Sequence, residues 1–231
     1  MPSTSHRLAV VGLAVALVGT ALLAGVPTTD ARAPPTPLCG ACSERLDESA
    51  ERRGVDLTRG ETDLVVQVHE NGSTSWRATV ELTAGGDALE NETLRAEVVD
   101  SAVQRGVGDP TDVRSRLDGE TLVVTHRDRN ATSRHLGVVV FTHVVPDSPS
   151  VPWVIGGEGA RYVGADRVTV EAPPGYRVTG GYEYATVSED RVVWTGSDDG
   201  RRFIEGENQP TMLPDGSLFP NLRTTVARWL V

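Results

Sequence analysis

The sequence predicts an α+β fold rich in strands, with antiparallel sheets in a sandwich-like arrangement, one hairpin-helix unit and short terminal helices. Three observations predict it. Two stretches that alternate apolar and polar residues flank Asn71-Gly72, the strongest short-range hairpin signal. One stretch of helical spacing follows, over about 87–105. After it come short Val-rich runs punctuated by Gly, Pro and Asp, a rhythm of sheet strands and tight turns.

The elements follow in chain order. Residues 1–33 form a leader. One basic residue, Arg7, precedes a run of 19 uncharged residues from Leu8 to Val26, and Ala31-Arg32-Ala33 resembles a cleavage site. A basic flank, an apolar run and a small-residue tail make an export signal. The run is also long enough to span a bilayer, because about 20 apolar residues suffice. Both readings stand, a cleaved signal peptide or an uncleaved membrane anchor, and either puts the body outside. Residues 34–38 close a Pro-rich spacer that acts as a tether. The remainder, 39–231, reads as one extracellular α+β domain.

Residues 40–53 suggest a short helix ending at Gly54. Leu64, Val66 and Val68 alternate with Val65, Gln67 and His69, and Trp76, Ala78, Val80 and Leu82 with Arg77, Thr79 and Glu81. Both turn residues between these strands, Asn71 and Gly72, tolerate positive φ. The next helix is capped by Asp87 with Glu90 three residues on. It presents Leu89, Ala96, Val99 and Val103 on one face and ends at Gly106. A second hairpin joins Val113–Leu117 to Thr121–His126 through Asp118-Gly119. Gly137–Val145 is apolar on both faces, as a strand covered on both sides must be. Strands follow at Arg167–Ala172, Tyr182–Val187, Arg191–Thr195 and Arg202–Glu205. A final amphipathic helix over Asn221–Val231 docks Leu222, Val226 and Trp229 on the body.

Composition sets the chemical habitat. The chain has no lysine; its 22 basic residues are all arginine against 32 Asp plus Glu, for a net charge of −10. Isoleucine is reduced to Ile155 and Ile204. A GC-rich genome and a salt-adapted proteome both produce this bias, and together they point to a halophilic archaeon. The acidic balance argues against nucleic-acid binding, which needs a basic stripe. Three sequons, at Asn71, Asn91 and Asn130, agree with an external, glycosylated location.

Candidate chemistry is sparse. Cys39-Gly40-Ala41-Cys42 could be a local disulfide, a redox dithiol, part of a metal site or a pair of free thiols. Export favours the disulfide, which by chain entropy would contribute about 2 kcal/mol at most. Thioredoxin-like chemistry needs a preceding strand, and a structural zinc site needs four ligands. His69, His126, His135 and His143 are the histidines of the body. His126 and His143 lie on strands expected to be adjacent, with Asp128 the nearest carboxylate, and would need such a partner for a metal or catalysis. Asp198-Asp199-Gly200 with Glu205 and Glu207 lacks EF-hand spacing. Gly156-Gly157-Glu158-Gly159 lacks the lysine and helix of a phosphate loop. No G-x-S-x-G elbow occurs. No residue is assigned to catalysis, metal or cofactor binding on these grounds, and no cofactor is expected.

The segment Leu38-Cys39-Gly40-Ala41-Cys42, the hairpin His69-Glu70-Asn71-Gly72-Ser73 leading to Trp76, and Val192-Val193-Trp194-Thr195-Gly196 resemble a set of haloarchaeal exported, cell-surface proteins. The resemblance spans about residues 38–200, rests on structural motifs and implies no activity or catalytic residue. The expectation is a non-enzymatic exported or membrane-anchored surface domain, structural or binding an envelope protein or a glycan. An extracellular metal-assisted hydrolase and a CxxC thiol or metal carrier are the alternatives.

Overall fold

A computed structural model describes residues 34–144, 161–196, 202–204 and 209–230, all within the unit Arg32–Val231. The fold is mixed α+β and strand-rich, with open, mainly antiparallel sheets and no barrel. The strands are β1 (Thr36–Pro37), β2 (Thr58–Val68), β3 (Thr74–Ala84), β4 (Thr111–Asp118), β5 (Thr121–Asp128), β6 (Thr132–His135) and β7 (Val138–Phe141). After these come β8 (Arg161–Tyr162), β9 (Arg167–Glu171), β10 (Tyr176–Thr179), β11 (Ala185–Val187), β12 (Arg191–Thr195), β13 (Phe203–Ile204) and β14 (Thr211–Pro214). The helices are α1 (Glu44–Glu51), α2 (Glu92–Val103) and α3 (Pro220–Trp229).

A seven-stranded sheet, in the order β11-β12-β9-β2-β3-β5-β4, is antiparallel throughout except where β2 meets β9. Its alternating residues bury one face, with Leu64, Val66, Trp76, Val80, Leu122 and Val168 all pointing into the core. That core is closed by α1 and α2, through Leu46, Ala50, Val98, Val99 and Ala102, and by Val139, Phe141 and Met212 of a second sheet. The second sheet has four strands, β10-β14-β7-β6. Its other face forms a separate small cluster, Val138, Val140, Leu213 and Ala227, beneath α3. All four residues of β7 are therefore buried, which is why its sequence is apolar on both faces.

Several elements differ from their sequence expectation. The tether expected over 34–38 is packed from Thr36 onward: β1 pairs in parallel with β8, and Leu38 is buried. The first helix starts at Glu44, not 40, because residues 39–42 form a closed turn and Ser43 takes the cap, accepting from the Arg45 N–H at 3.3 Å. The first hairpin turns over three residues. The Gly72 N–H reaches the His69 carbonyl at 2.9 Å and only Gly72 has positive φ, while Asn71 accepts from the Ser73 N–H at 3.0 Å. This is a type I turn followed by a left-handed glycine, the common three-residue solution.

The second helix is divided. A 3-10 turn covers Gly86–Glu90 and α2 begins at Glu92, capped by Asn91, whose Oδ1 accepts from the Leu94 N–H at 3.2 Å. Asp87 is not the cap. Asn91 wins because its extended backbone directs the side-chain oxygen onto the first free N–H groups. Ala96 is exposed, and Val98 and Ala102 join Val99 and Val103 on the buried side.

The strand expected at Tyr182–Val187 is confined to β11, because Tyr182 turns inward and its hydroxyl accepts from the Thr211 N–H at 2.9 Å. The strands β1, β6, β8, β10 and β14 were not expected; they are short and carry few alternating residues. The leader over 1–33, the glycine-rich loop at 156–159 and the acidic segment at 198–200 with Glu205 and Glu207 lie outside the described residues. No helix among the described residues is long and apolar enough to cross a membrane.

The largest difference is in α3. Leu222 is 65% and Trp229 83% exposed, whereas Thr224 and Ala227 are buried against the sheet. This side docks because the four-stranded sheet offers Ala227 a small apolar patch, Val138, Val140 and Leu213, and offers the polar residues hydroxyl partners. Thr224 Oγ1 lies 3.1 Å from Thr179 Oγ1, and the Arg228 guanidinium donates to Thr211 Oγ1 and the Tyr182 hydroxyl, both at 3.3 Å. Leu222 and Trp229 are thus not on the docking face, whereas Val226 is half-buried.

Candidate functional site

Chemistry-bearing side chains gather at one place, the end of β5. Strand alternation sends Leu122, Val124, His126 and Asp128 toward the core, so a histidine and a carboxylate enter an otherwise apolar interior. Asp128 is 1% exposed. Its Oδ2 accepts from His143 Nε2 at 2.7 Å and from the Asp109 N–H at 2.8 Å, and its Oδ1 accepts from the Asn130 N–H at 2.8 Å. With the carboxylate ionised, the Nε2–H of His143 must be the donor. Burial alone would raise the Asp128 carboxyl. The bond from His143 and those from the two backbone N–H groups outweigh it and hold the pKa below the ordinary carboxylate value.

Aromatic rings wall the pair. Trp76 stacks on His126 with ring centres 5.2 Å apart, and lies 5.9 Å from Phe141 and 6.1 Å from His143. The Trp76 indole N–H is satisfied by Thr74 Oγ1 at 2.7 Å. His126, beside the pair, lies under the Trp76 ring. Burial holds its pKa down at about 4; the nearby Asp128 charge opposes that shift and His143 adds to it. The ring is therefore neutral at pH 7.

Gly108 seals the pair. A Cβ at this position would lie 2.2 Å from Asp128 Oδ2 and 2.5 Å from His143 Nε2, and its φ is +84°. Only glycine lets the backbone pass so close in that conformation. The void next to His126 and Trp76 is about 10 Å³, barely one water molecule. Among the described residues no Ser, Thr or Cys is hydrogen-bonded to His143, and no group of three or more His, Cys, Asp or Glu is placed to hold a metal. The arrangement is a buried cross-link joining β5, the loop after α2 and the chain after β7.

Two of the four histidines named from the sequence thus converge with Asp128, but differently from the expectation. His143 lies beyond the end of β7, in the four-stranded sheet's connection, and not on a strand beside β5. His69 is at the first hairpin, 2.8 Å from Ser75 Oγ, and His135 is on β6. Gly108 and Thr74 were missed. The inward stride 122, 124, 126, 128 was the signal that would have placed His126 and Asp128 together.

Cys39 and Cys42 are at disulfide distance, with sulfurs 2.03 Å apart, and both are buried. Their turn lies on the end of α2, where Gly40 meets the Ala102 carbonyl and Gly106. Beside it opens a polar cleft of about 340 Å³ lined by Ser43, Glu44, Asp47, Arg59 and Asp166. Its charges are engaged: Arg59 grips Asp47 in a fork at 2.8 and 2.9 Å, and Asp166 accepts from the Thr62 N–H and hydroxyl at 2.7 and 2.8 Å. Asn71, Asn91 and Asn130 are all exposed.

No family model, curated protein or solved structure matches this chain.

Proposed function

We propose that the chain is a non-enzymatic domain of a salt-adapted archaeon, exported and held at the outer face of the cell membrane or secreted. Its role is envelope structure or the binding of an envelope protein or glycan. The observation that carries this reading is the closed, buried Cys39–Cys42 pair at the start of the folded body. Disulfides persist in oxidising compartments, and this one follows directly on an export-type leader. The exposure of the three sequon asparagines supports the same location, with glycans at Asn71, Asn91 and Asn130.

The hydrolase alternative draws on the His143–Asp128 pair. Its enclosure by Gly108 and Trp76 counts against it, since a substrate must reach a catalytic imidazole. The carrier alternative needs an accessible thiol, and Cys39 and Cys42 are 4% and 1% exposed. The deciding experiment is fractionation of native cells followed by intact-mass measurement. The expected result is an envelope or secreted protein two mass units below the reduced value, with glycan mass added and the leader either present or removed. A reduced, unglycosylated cytosolic protein overturns the reading.

A further inference from the structure

The solvent face of the seven-stranded sheet has two halves with different charge arrangements. On β12, β9 and β2 unlike charges face one another. Arg191 reaches Glu171 at 3.6 Å, and Arg167 stands opposite Asp63 in the parallel register of β9 and β2. On β3, β5 and β4 they do not. Strand alternation turns Arg77, Arg127, Arg114 and Arg116 outward here, and all four are exposed. Among the described residues none of their guanidiniums forms an ion pair or a hydrogen bond. The acids of this half stand at its ends. Asp118 pairs with Thr121 beside the second hairpin turn, and Asp112 sits at the bulge of β4. Glu81 is turned toward β2, where its Oε2 accepts from the Glu61 N–H at 3.3 Å. In a chain with 22 arginines and 32 acids, this is a basic field on three adjacent strands.

The strand registers place the four on a grid. Arg77 and Arg114 both lie opposite Thr125, one strand away on either side, and Arg116 is two residues along from Arg114. With strands about 4.8 Å apart and two residues spanning about 6.7 Å, their backbones fall within a field about 10 Å wide and about 13 Å long. The residues between them distinguish the occupant. Ser75, Thr79, Thr121 and Thr125 share this face, and each hydroxyl both donates and accepts. The half-face carries no aromatic ring, and its one apolar residue at the centre, Val123, is 6% exposed. A protein partner draws on an apolar or aromatic core, a bilayer on apolar insertion and a nucleic-acid single strand on aromatic stacking. The field offers none of these. It offers guanidinium forks for oxyanions beside hydroxyl partners, which a polysaccharide with sulfate or carboxylate groups uses together. We propose that the outer face of β3, β5 and β4 binds an anionic polysaccharide, with Arg77, Arg114, Arg116 and Arg127 on its acid groups and the intervening hydroxyls on its sugar hydroxyls. This rests on the envelope reading above and names its ligand class and its surface. At 1 M salt the screening length is still about 3 Å, so contacts at hydrogen-bond distance persist in brine.

The test uses the full chain in neutral detergent with fluorescein-labelled dextran sulfate and polygalacturonate, binding being read by anisotropy at 0.5 M and 2 M NaCl. The expected result is saturable binding to both, weaker at the higher salt and absent with neutral dextran. The double changes Arg77→Gln with Arg127→Gln, and Arg114→Gln with Arg116→Gln, should each weaken it by on the order of tenfold, with circular dichroism unchanged. Arg167→Gln with Arg191→Gln removes the same charge from the other half of the same face and should shift the affinity less than twofold. Binding to neither polyanion, or equal losses from all three double variants, overturns the proposal. Equal binding to neutral dextran overturns the anionic assignment, and tighter binding to a DNA duplex overturns the choice of polysaccharide. An envelope location without polysaccharide binding would sink this inference alone. A cytosolic location with binding intact would sink the envelope reading and leave the chemistry of this face standing.

Discussion

The helices α2 and α3 each lie on a sheet, yet they dock differently, α2 by apolar residues alone and α3 by a small apolar patch with polar bonds around it. α2 buries Val98, Val99, Ala102 and Val103 in the large core. α3 buries Thr224 and Ala227, ties itself to Thr179, Thr211 and Tyr182 through hydroxyl and guanidinium bonds, and leaves its large apolar residues in water. An apolar stripe names the face of a helix that gains by leaving water. It does not name what will cover it. Where the neighbouring sheet offers a broad apolar face, as beneath α2, the body takes the stripe. Where it offers only a small apolar patch edged by hydroxyls, as beneath α3, Ala227 covers Val138, Val140 and Leu213, Thr224 and Arg228 take the hydroxyls, and the larger apolar residues remain outside.

The largest effect that separates the two regions is expected at Trp76, which lies between the α2 side of the core and the His143–Asp128 pair. Trp76→Ala should cost about 4 kcal/mol of stability, the usual toll of truncating a fully buried aromatic. Urea unfolding of the folded body reads this directly. A loss below about 1 kcal/mol would mean that the core beneath α2 is not the main support of the fold.

A second effect comes from His126, in the same wall. Its folded pKa, about 4, is below the ordinary value of 6.5, so between these limits the unfolded chain binds the proton that the folded chain refuses. Stability must therefore fall as pH drops from about 6.5 toward about 4, by on the order of 3 kcal/mol if this group acts alone. Asp128 acts lower on the scale. Its depressed pKa contributes stability above the ordinary carboxylate range, which is lost as pH falls through its folded value. Replacing His126 by Phe should flatten the stability profile between pH 6.5 and 4 and leave the acid limb below it. A profile unchanged in that window would show that His126 is not the group responsible.

The helix start at Asn91 gives a smaller effect. Asn91→Ala removes the oxygen that accepts from the Leu94 N–H and should destabilise by about 1 kcal/mol, with Asn91→Ser recovering most of it. The pair separates capping from glycosylation, because both changes destroy the sequon and only one destroys the cap. Equal losses for Ala and Ser would point to the glycan.

Much of the fold was legible because it is written in local pattern. The alternation around Trp76 and in 121–126, the doubly apolar run that became β7, and the strands at 167–171 and 191–195 all survive in place. The boundaries of α1 and α2 shifted where a better local donor or acceptor existed, Ser43 and Asn91, than the pattern alone suggested. Short strands such as β6, β10 and β14 were not legible, since they exist only through pairing with distant partners. The candidate site was half legible. His126 and Asp128 share a strand face, which sequence alternation can show. His143 reaches Asp128 only because the second sheet folds back over the first, and Gly108 matters only once that approach is made.

The smallest expected effect sharpens the opening contrast most. Leu222 is a large apolar residue in the middle of a regular helix, and from sequence alone its loss should damage the fold. In the structure its side chain is 65% exposed. Leu222→Ser should therefore change stability in solution by no more than about 0.5 kcal/mol, most of it intrinsic helix preference. Urea unfolding of this variant beside the Trp76 variant makes the comparison quantitative. A loss near 2 kcal/mol would mean that the stripe of α3 is packed on protein after all. The two helices would then differ only in the size of the sheet beneath them, not in the kind of surface they turn outward.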